Sequence, residues 1–378
     1  MQVAQAILRS SSDLPEKLAP LLALQPDLIL AFGSVDLLKA AAPALATAFP
    51  DARRIGCSTA GEISAAGVTD NTCVLTAVRF EKTVLAEASV RLANMDDSLD
   101  AGRRLGNSLA KEGLRAVLLF GQGVQINGSA LLAGMSAVLG AQLPITGGLA
   151  GDGGAFQQTW VLDADGVASD TIIALGLYGE SLSFSHGSFG GWSPFGPARK
   201  VTRSAGNILY ELDGKPALEI YKRYLGEHAK GLPASGLLFP LAMLGRDHDE
   251  VGLIRTILGV DESDGSLTLA GEIVADGYLK LMHANTDALV DGAEAAAAAA
   301  QKMCASHAPG LVLLVSCVGR KLVMGGRVDE EVEAVAAVLG QHAVLAGFYS
   351  YGEISPFSPG VECKLHNQTM TVTCIGED

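Results

Sequence analysis

Charge is scarce in this sequence. Only 18% of its 378 residues are Asp, Glu, Lys or Arg, and aromatic residues make up 5%. The charge present is lopsided, with 41 acids against 27 Lys and Arg, a formal net charge of -14. Phosphate backbones are held by Lys and Arg, so this balance argues against nucleic acid. It argues equally against anionic membrane surfaces. The six cysteines, at 57, 73, 304, 317, 363 and 374, form no C-x2-C and no C-x-x-C-H, which excludes the usual structural zinc and c-type haem signatures. In so long a chain they are expected as reduced, mostly buried thiols. No clean run of about 18 apolar residues offers a membrane span. The run 293–300 is short and weakly apolar, and residues 1–12 lack a basic segment followed by an apolar core. The expectation is a cytoplasmic protein with no membrane insertion.

What is plentiful is apolar and small. Hydrophobic residues make up 49% of the chain, and there are 45 glycines, which suits close packing of helices on sheets. The glycines repeat a pattern. Gly347-Phe348-Tyr349-Ser350-Tyr351-Gly352-Glu353-Ile354-Ser355 echoes Gly56-Cys57-Ser58-Thr59-Ala60-Gly61-Glu62-Ile63-Ser64, both G-x4-G-E-I-S. A shorter version, Thr146 to Asp152, ends in an acid after its last Gly, and Gly271-Glu272-Ile273 repeats the core alone. Two versions sit in longer frames. Val117–Phe120 matches Val312–Val315, and Leu132, Met135 and Leu139 match Val332, Val335 and Leu339. This spacing is far above solenoid periods and indicates an internal duplication. The expected fold is α/β, two related domains with mixed, largely antiparallel sheets flanked by helices, divided as 1–205 and 206–378.

Local patterns fill in elements. Leu28–Phe32 reads as a buried strand and 36–49 as a helix stopped by Pro50. Residues 72–80 and 84–92 read as a hairpin, as do 160–162 and 171–178 around a turn at 163–166. Helices are expected over 97–112, over 132–139 with a left-handed stop at Gly140, over 216–225, and from an N-cap at Asn285 with one face through Leu289, Ala293, Ala296, Ala300 and Met303. Two Pro and three Gly within 190–197 argue against regular structure there.

The motifs Gly56-Cys57-Ser58-Thr59-Ala60-Gly61-Glu62, Gly191-Trp192, Leu212-Asp213-Gly214-Lys215-Pro216-Ala217-Leu218, Ser316-Cys317-Val318-Gly319-Arg320, Gly347-Phe348-Tyr349 with Gly352-Glu353-Ile354, and His366-Asn367-Gln368-Thr369 together resemble the FIST family, whose name denotes F-box and intracellular signal-transduction proteins. The resemblance spans nearly the whole chain. It implies N-terminal and C-terminal FIST domains and a sensory, ligand-binding role. One branch consists of stand-alone proteins that bind haem, sense nitric oxide and regulate a partner histidine kinase, and this chain has that stand-alone layout.

A haem sensor needs a neutral imidazole, apolar walls and cations for the propionates. His186, beside Phe189 and Trp192 and close to Lys200 and Arg203, has the best local setting; its plain alternative is a strand histidine. His283, His366 and His228 follow, and His248, His307 and His342 read as loop residues. Cys317 and Arg320 follow the strand Val312–Val315, where α/β proteins place ligand groups. Arg320 either clamps a carboxylate ligand or neutralises Glu353. Glu62 and Glu353 either act as paired acids or hold their turns by hydrogen bonds. His366 and Asn367, with Tyr349 and Trp192 nearby in motif, complete the candidate ligand-binding set. Three readings result: a sensor, with haem and nitric oxide foremost; a sensor of a small polar metabolite such as an amino acid, held by Arg320, Glu353 and 366–369; and an enzyme around Cys317, against an expectation of no enzyme.

Overall fold

A computed structural model describes residues 1–304, 309–340, 342–357 and 360–378. His307 lies outside them.

The apolar strands assemble into three six-stranded sheets of one design. The first runs Gln2–Leu8, Cys73–Arg79, Leu28–Gly33, Arg53–Ser58, Val161–Asp163, Gly166–Ala168. The second runs Val84–Arg91, Thr171–Tyr178, Leu114–Gly121, Ile145–Leu149, Gly352–Pro356, Cys363–His366. The third runs Leu182–Phe189, Met370–Glu377, Leu311–Cys317, Val344–Ser350, Glu62–Ser64, Gly67–Thr69. In each, the two middle strands are parallel and every other pairing is antiparallel. A parallel pair needs a crossover, and helices Val35–Ala48, Gly128–Leu139 and Asp329–Leu339 lie on those connections. The two long copies legible in the sequence are the second and third units, and residues 1–79 repeat the design once more.

The last hairpin of each sheet comes from a different unit. Residues 62–69 complete the third sheet, 161–168 the first and 352–366 the second. The exchange is cyclic, so strands of the N-terminal half and the C-terminal half share two sheets. The inner faces meet in one core, where Phe32, Phe120 and Phe348 stand with ring centroids 4.7–6.0 Å apart. The outer faces bury helix stripes, such as Leu38, Ala41, Ala42 and Leu45 on the first sheet.

Residues 193–283 form a separate module. It is an eight-stranded antiparallel arrangement around the helix Ala217–Leu225, with its own core, inserted after the first strand of the third unit. The stretch 190–197, expected to be irregular, mostly joins a long strand, Ser193–Ala205. Its register slips between Phe195 and Arg199, which seats Gly196 and Pro197 in a bulge where a missing N–H does no harm. The expected hairpins also differ. Residues 73–79 pair inside the first sheet while 84–91 pair with 171–178 in the second. Residues 161–163 pair with 166–168 instead of 171–178. The N-cap at Asn285 forms as expected, its side chain accepting from the Ala288 N–H at 2.8 Å, and Gly140 ends its helix at φ 98°.

One contact recurs in all three units. Gly56, Gly147 and Gly347 lie opposite Ala31, Leu119 and Leu314 in the parallel pairs. A Cβ at these glycines would fall 1.8, 2.0 and 1.8 Å from the facing carbonyl oxygens. Backbone cannot yield there, so each position admits only glycine. Gly347→Ala is therefore expected to leave no folded protein, whereas Gly140→Ala, with open space around it, costs only the strain of a positive φ. Circular dichroism and thermal melting of the two variants check this.

Candidate functional site

The three Gly-rich turns meet at the carboxyl ends of the parallel pairs and are stitched to one another. The Ala60 N–H donates to the Tyr349 carbonyl and the Tyr349 N–H to the Gly61 carbonyl, both at 2.8 Å. The Gly151 N–H reaches the Ser58 carbonyl at 2.9 Å, and the Tyr351 N–H the Leu149 carbonyl at 3.1 Å. The turns thus close on each other instead of lining an open cleft.

The two repeated glutamates hold these turns in matching fashion. Glu62 accepts from the Thr59 hydroxyl and from the N–H and hydroxyl of Thr72. Glu353 accepts from the Ser350 hydroxyl at 2.7 Å and from the N–H and hydroxyl of Thr369 at 3.1 Å. Both are buried. Burial pushes the Glu353 carboxyl up to about 8, only partly offset by the bonds from Ser350 and Thr369. Asp152 plays the third part. Its carboxylate accepts from the N–H groups of Phe156, Gln157 and Gln158 at 2.8–2.9 Å and from the Tyr351 phenol.

Arg320 is fully buried, and its partner is Glu331, at 2.7 Å, not Glu353. Its remaining N–H groups donate to the Gly190 and Leu289 carbonyls. Glu331 also accepts from Ser316 and from the Tyr349 phenol. Every charge in this cluster is consumed, and removing one partner of such a pair costs about 3–5 kcal/mol. Arg320, Glu331 and Tyr349 therefore knit the third sheet to its helices and leave no fork for a carboxylate ligand. Cys317 is 3% exposed, and burial pushes its thiol well above its ordinary value. A nucleophilic thiol needs the opposite shift.

The remaining predicted residues separate. His186 is buried on Leu182–Phe189 opposite Thr373, its Nδ1 without a partner, and burial lowers it to about 4. His366 is buried, its Nε2 2.7 Å from the Ser355 carbonyl, and is likewise lowered to about 4 by burial. Trp192 donates from Nε1 to the Gln368 carbonyl at 2.8 Å. Asn367 is 2% exposed and its Oδ1 has no partner.

Asn367 stands at the seam between the three-sheet body and the module. Gln368, next to it, donates across the seam to the Leu237 carbonyl at 2.9 Å and to Thr256 Oγ1 at 3.1 Å. Arg255 of the module, 3% exposed, donates to the Leu365 carbonyl at 3.1 Å. Several cavities lie around these bridges, one of them of about 420 Å³, charged, between Leu132, Glu362 and Lys364 of the body and Arg255 and Glu272 of the module. A chamber of about 60 Å³ is walled by Asn367, Tyr351 and Asn127 of the body and Asn207 and Leu258 of the module. It adjoins, at Leu258, an apolar groove of about 730 Å³ along Phe156, Leu237, Leu238 and Leu322. The Phe156 and Tyr351 rings stack at 4.1 Å, one in each wall. Another cleft, of about 450 Å³, is lined by Trp192, Met243, Met282, Lys280 and His248. Among the predicted residues only Asn367 and Trp192 line a cavity. Tyr351, Phe156 and His248 were not singled out as site residues. Tyr351 sits inside the repeated motif at the place of Ala60, and that change was the available signal.

Protein-family models divide the chain inside the module. Residues 27–215 match the FIST N domain and residues 217–356 the FIST C domain. The chain belongs to the FIST family. It is a family of signal-transduction sensors. An uncharacterized protein of Methanocaldococcus jannaschii is 37% identical over 95 residues, 25% of this chain and 18% of that protein. A cyanuric acid hydrolase from A. caulinodans, of known structure, aligns over 100% of this FIST chain and 99% of its own at 11% identity, with a TM-score of 0.36. No helix among the described residues is long and apolar enough to cross a membrane.

The pH behaviour of Glu353 tests its role in the turn. Unfolded, the carboxyl loses its proton near 4.5; folded, near 8. Between these values the unfolded state binds fewer protons, so stability from this group is present below pH 4.5 and falls as pH rises to 8. The melting temperature of the native protein is expected to fall relative to Glu353→Gln between pH 5 and 8. A difference constant across that range would contradict the assignment.

Proposed function

We propose that this FIST protein senses a small molecule bound at the seam, and that the module 193–283 reports occupancy through its bridges to the body. The observation that carries this reading is the unpartnered Asn367 Oδ1, 2% exposed, beside the cross-seam bonds of Gln368 and Arg255. A buried acceptor left unmade costs free energy that a ligand donor recovers. Sites between domains also favour ligands. A ligand that bridges body and module binds the closed arrangement better and shifts the population toward it. The output is a signalling partner, for which a histidine kinase is the first candidate. Hydrogen exchange tests the coupling. A compound that raises the melting temperature should slow exchange at residues 237–238, 255–257 and 365–369 together, and should fail to do so in Asn367→Ala. Stabilising compounds that leave these segments unchanged would sink the reading.

A second reading, haem with nitric oxide as the sensed gas, is favoured by the 450 Å³ cleft. His248 lines it, Met243, Met282 and Trp192 give apolar walls, and Lys280 offers a cation for a propionate. Haem would supply an iron that binds the gas. His186 lines none of these cavities, and its imidazole is buried on the strand Leu182–Phe189. Haemin titration is expected to give a saturable Soret band that His248→Ala loses and His186→Ala keeps. The reverse pattern would remove the cleft from consideration.

A further inference from the structure

The chamber and the groove differ in chemistry but meet at one residue, and neither wall carries a charge. Among the described residues no Asp, Glu, Lys, Arg or His lines either cavity, in a chain with net charge -14. Asp152, bonded to the chamber's Tyr351, is saturated by three N–H groups and that phenol. An ion placed here would lose its hydration with nothing to replace it. The chamber, about 60 Å³, admits only a small group, and Asn367 in its wall carries a buried Oδ1 with no partner. The adjoining groove is twelve times larger by volume, 730 against 60 Å³, and is walled by Leu, Ile, Phe, Pro and Ala with a single Ser. That Ser235 spends its hydroxyl on the His228 carbonyl at 2.7 Å. Leu258 and Leu322, 44% and 52% exposed, form an apolar rim.

We infer that the seam takes an uncharged amphiphile, with a hydrogen-bond-donating head beside Asn367 and an apolar, ring-sized body in the groove along Phe156, Leu237 and Leu258. The inference rests on the seam being the ligand site and goes further by fixing the ligand's class. It excludes from the chamber and the groove both a zwitterionic amino acid and a macrocycle bearing carboxylates. The other clefts have the opposite character. One, of about 420 Å³ and also between body and module, is lined by Arg255, Glu272, Glu362 and Lys364, and another holds Lys280 and His248.

An isosteric fluorescent series on the full chain tests the class. 2-Naphthol is neutral at pH 7 and donates, 2-methoxynaphthalene keeps the body but cannot donate, and 2-naphthoate carries a charge. Saturable binding is expected for 2-naphthol, about tenfold weaker binding for the methyl ether, from one unmade hydrogen bond, and weaker binding still for the carboxylate. Leu258→Arg, at an exposed rim position that leaves the fold intact, should weaken all three. Asn367→Leu should bring naphthol and its ether to equal affinity. Equal or tighter binding of naphthoate, no saturable binding of naphthol, or a preference that survives Asn367→Leu would each overturn the inference. If Asn367→Leu does not fold, the ligand series on the native protein and on Leu258→Arg decides alone. Failure here is distinct from failure of the seam reading, which is judged by exchange at the cross-seam segments with any stabilising compound.

Discussion

The structure depends on how closely two backbones can approach at three places. In each parallel pair a glycine lies against the carbonyl opposite, with no room for a Cβ. That approach brings the turn after the glycine inward, so the three turns reach one another and exchange main-chain hydrogen bonds. From there each following hairpin can only continue into the neighbouring sheet. The cyclic exchange covers what would otherwise be an open sheet edge in every unit, a known hazard for β-proteins. It also binds N-terminal to C-terminal sequence. The two FIST domains are consecutive in the chain, yet each completes a sheet with strands of the other.

The frame was legible in the sequence where a residue's own chemistry dictates its conformation. The Gly-rich turns, the helix stops and the Asn285 cap are local events. Strand partnership was not legible. Alternation tells which face a residue occupies but not which strand lies beside it, and 84–91 served any antiparallel neighbour equally well. Similarity between the second and third units was visible because apolar positions match along both their strands and their crossover helices. The first unit has an equally long crossover helix, Val35–Ala48, but only its Gly-rich motif repeats the pattern.

The candidate residues divide along the same line. The repeated acids and Arg320 stand out in a sequence because charge within an apolar motif is unusual. Such a group must be paired, or hydrogen-bonded and neutralised, to be buried at all, and those bonds remove it from ligand chemistry. Glu331 was the missing partner of Arg320. It lies one residue from Val332 and four from Val335, on the buried stripe of its helix, so a charge at that position was the available clue. Asn367 is the converse case. It is neutral, unremarkable in composition, and the one residue of the 366–369 segment whose side chain lines a cavity with an unused acceptor.

The family motifs therefore describe the scaffold more than the ligand. Glu62, Glu353, Arg320 and the glycines build a rigid body whose last β-turn, 366–369, is presented to the module. The seam's walls come in good part from residues outside those motifs: Asn207, Leu237, Leu238 and Leu258 from the module, Asn127 and Phe156 from loops of the second unit. Changing a wall residue alters a cavity without touching a turn, whereas changing a turn residue dismantles the junction of three sheets. The wall residues can therefore vary while the Gln368 and Arg255 bridges between body and module stay fixed. The cavities at the seam thus take their chemistry from the module and the loops facing it, and the frame holds those two parts in place.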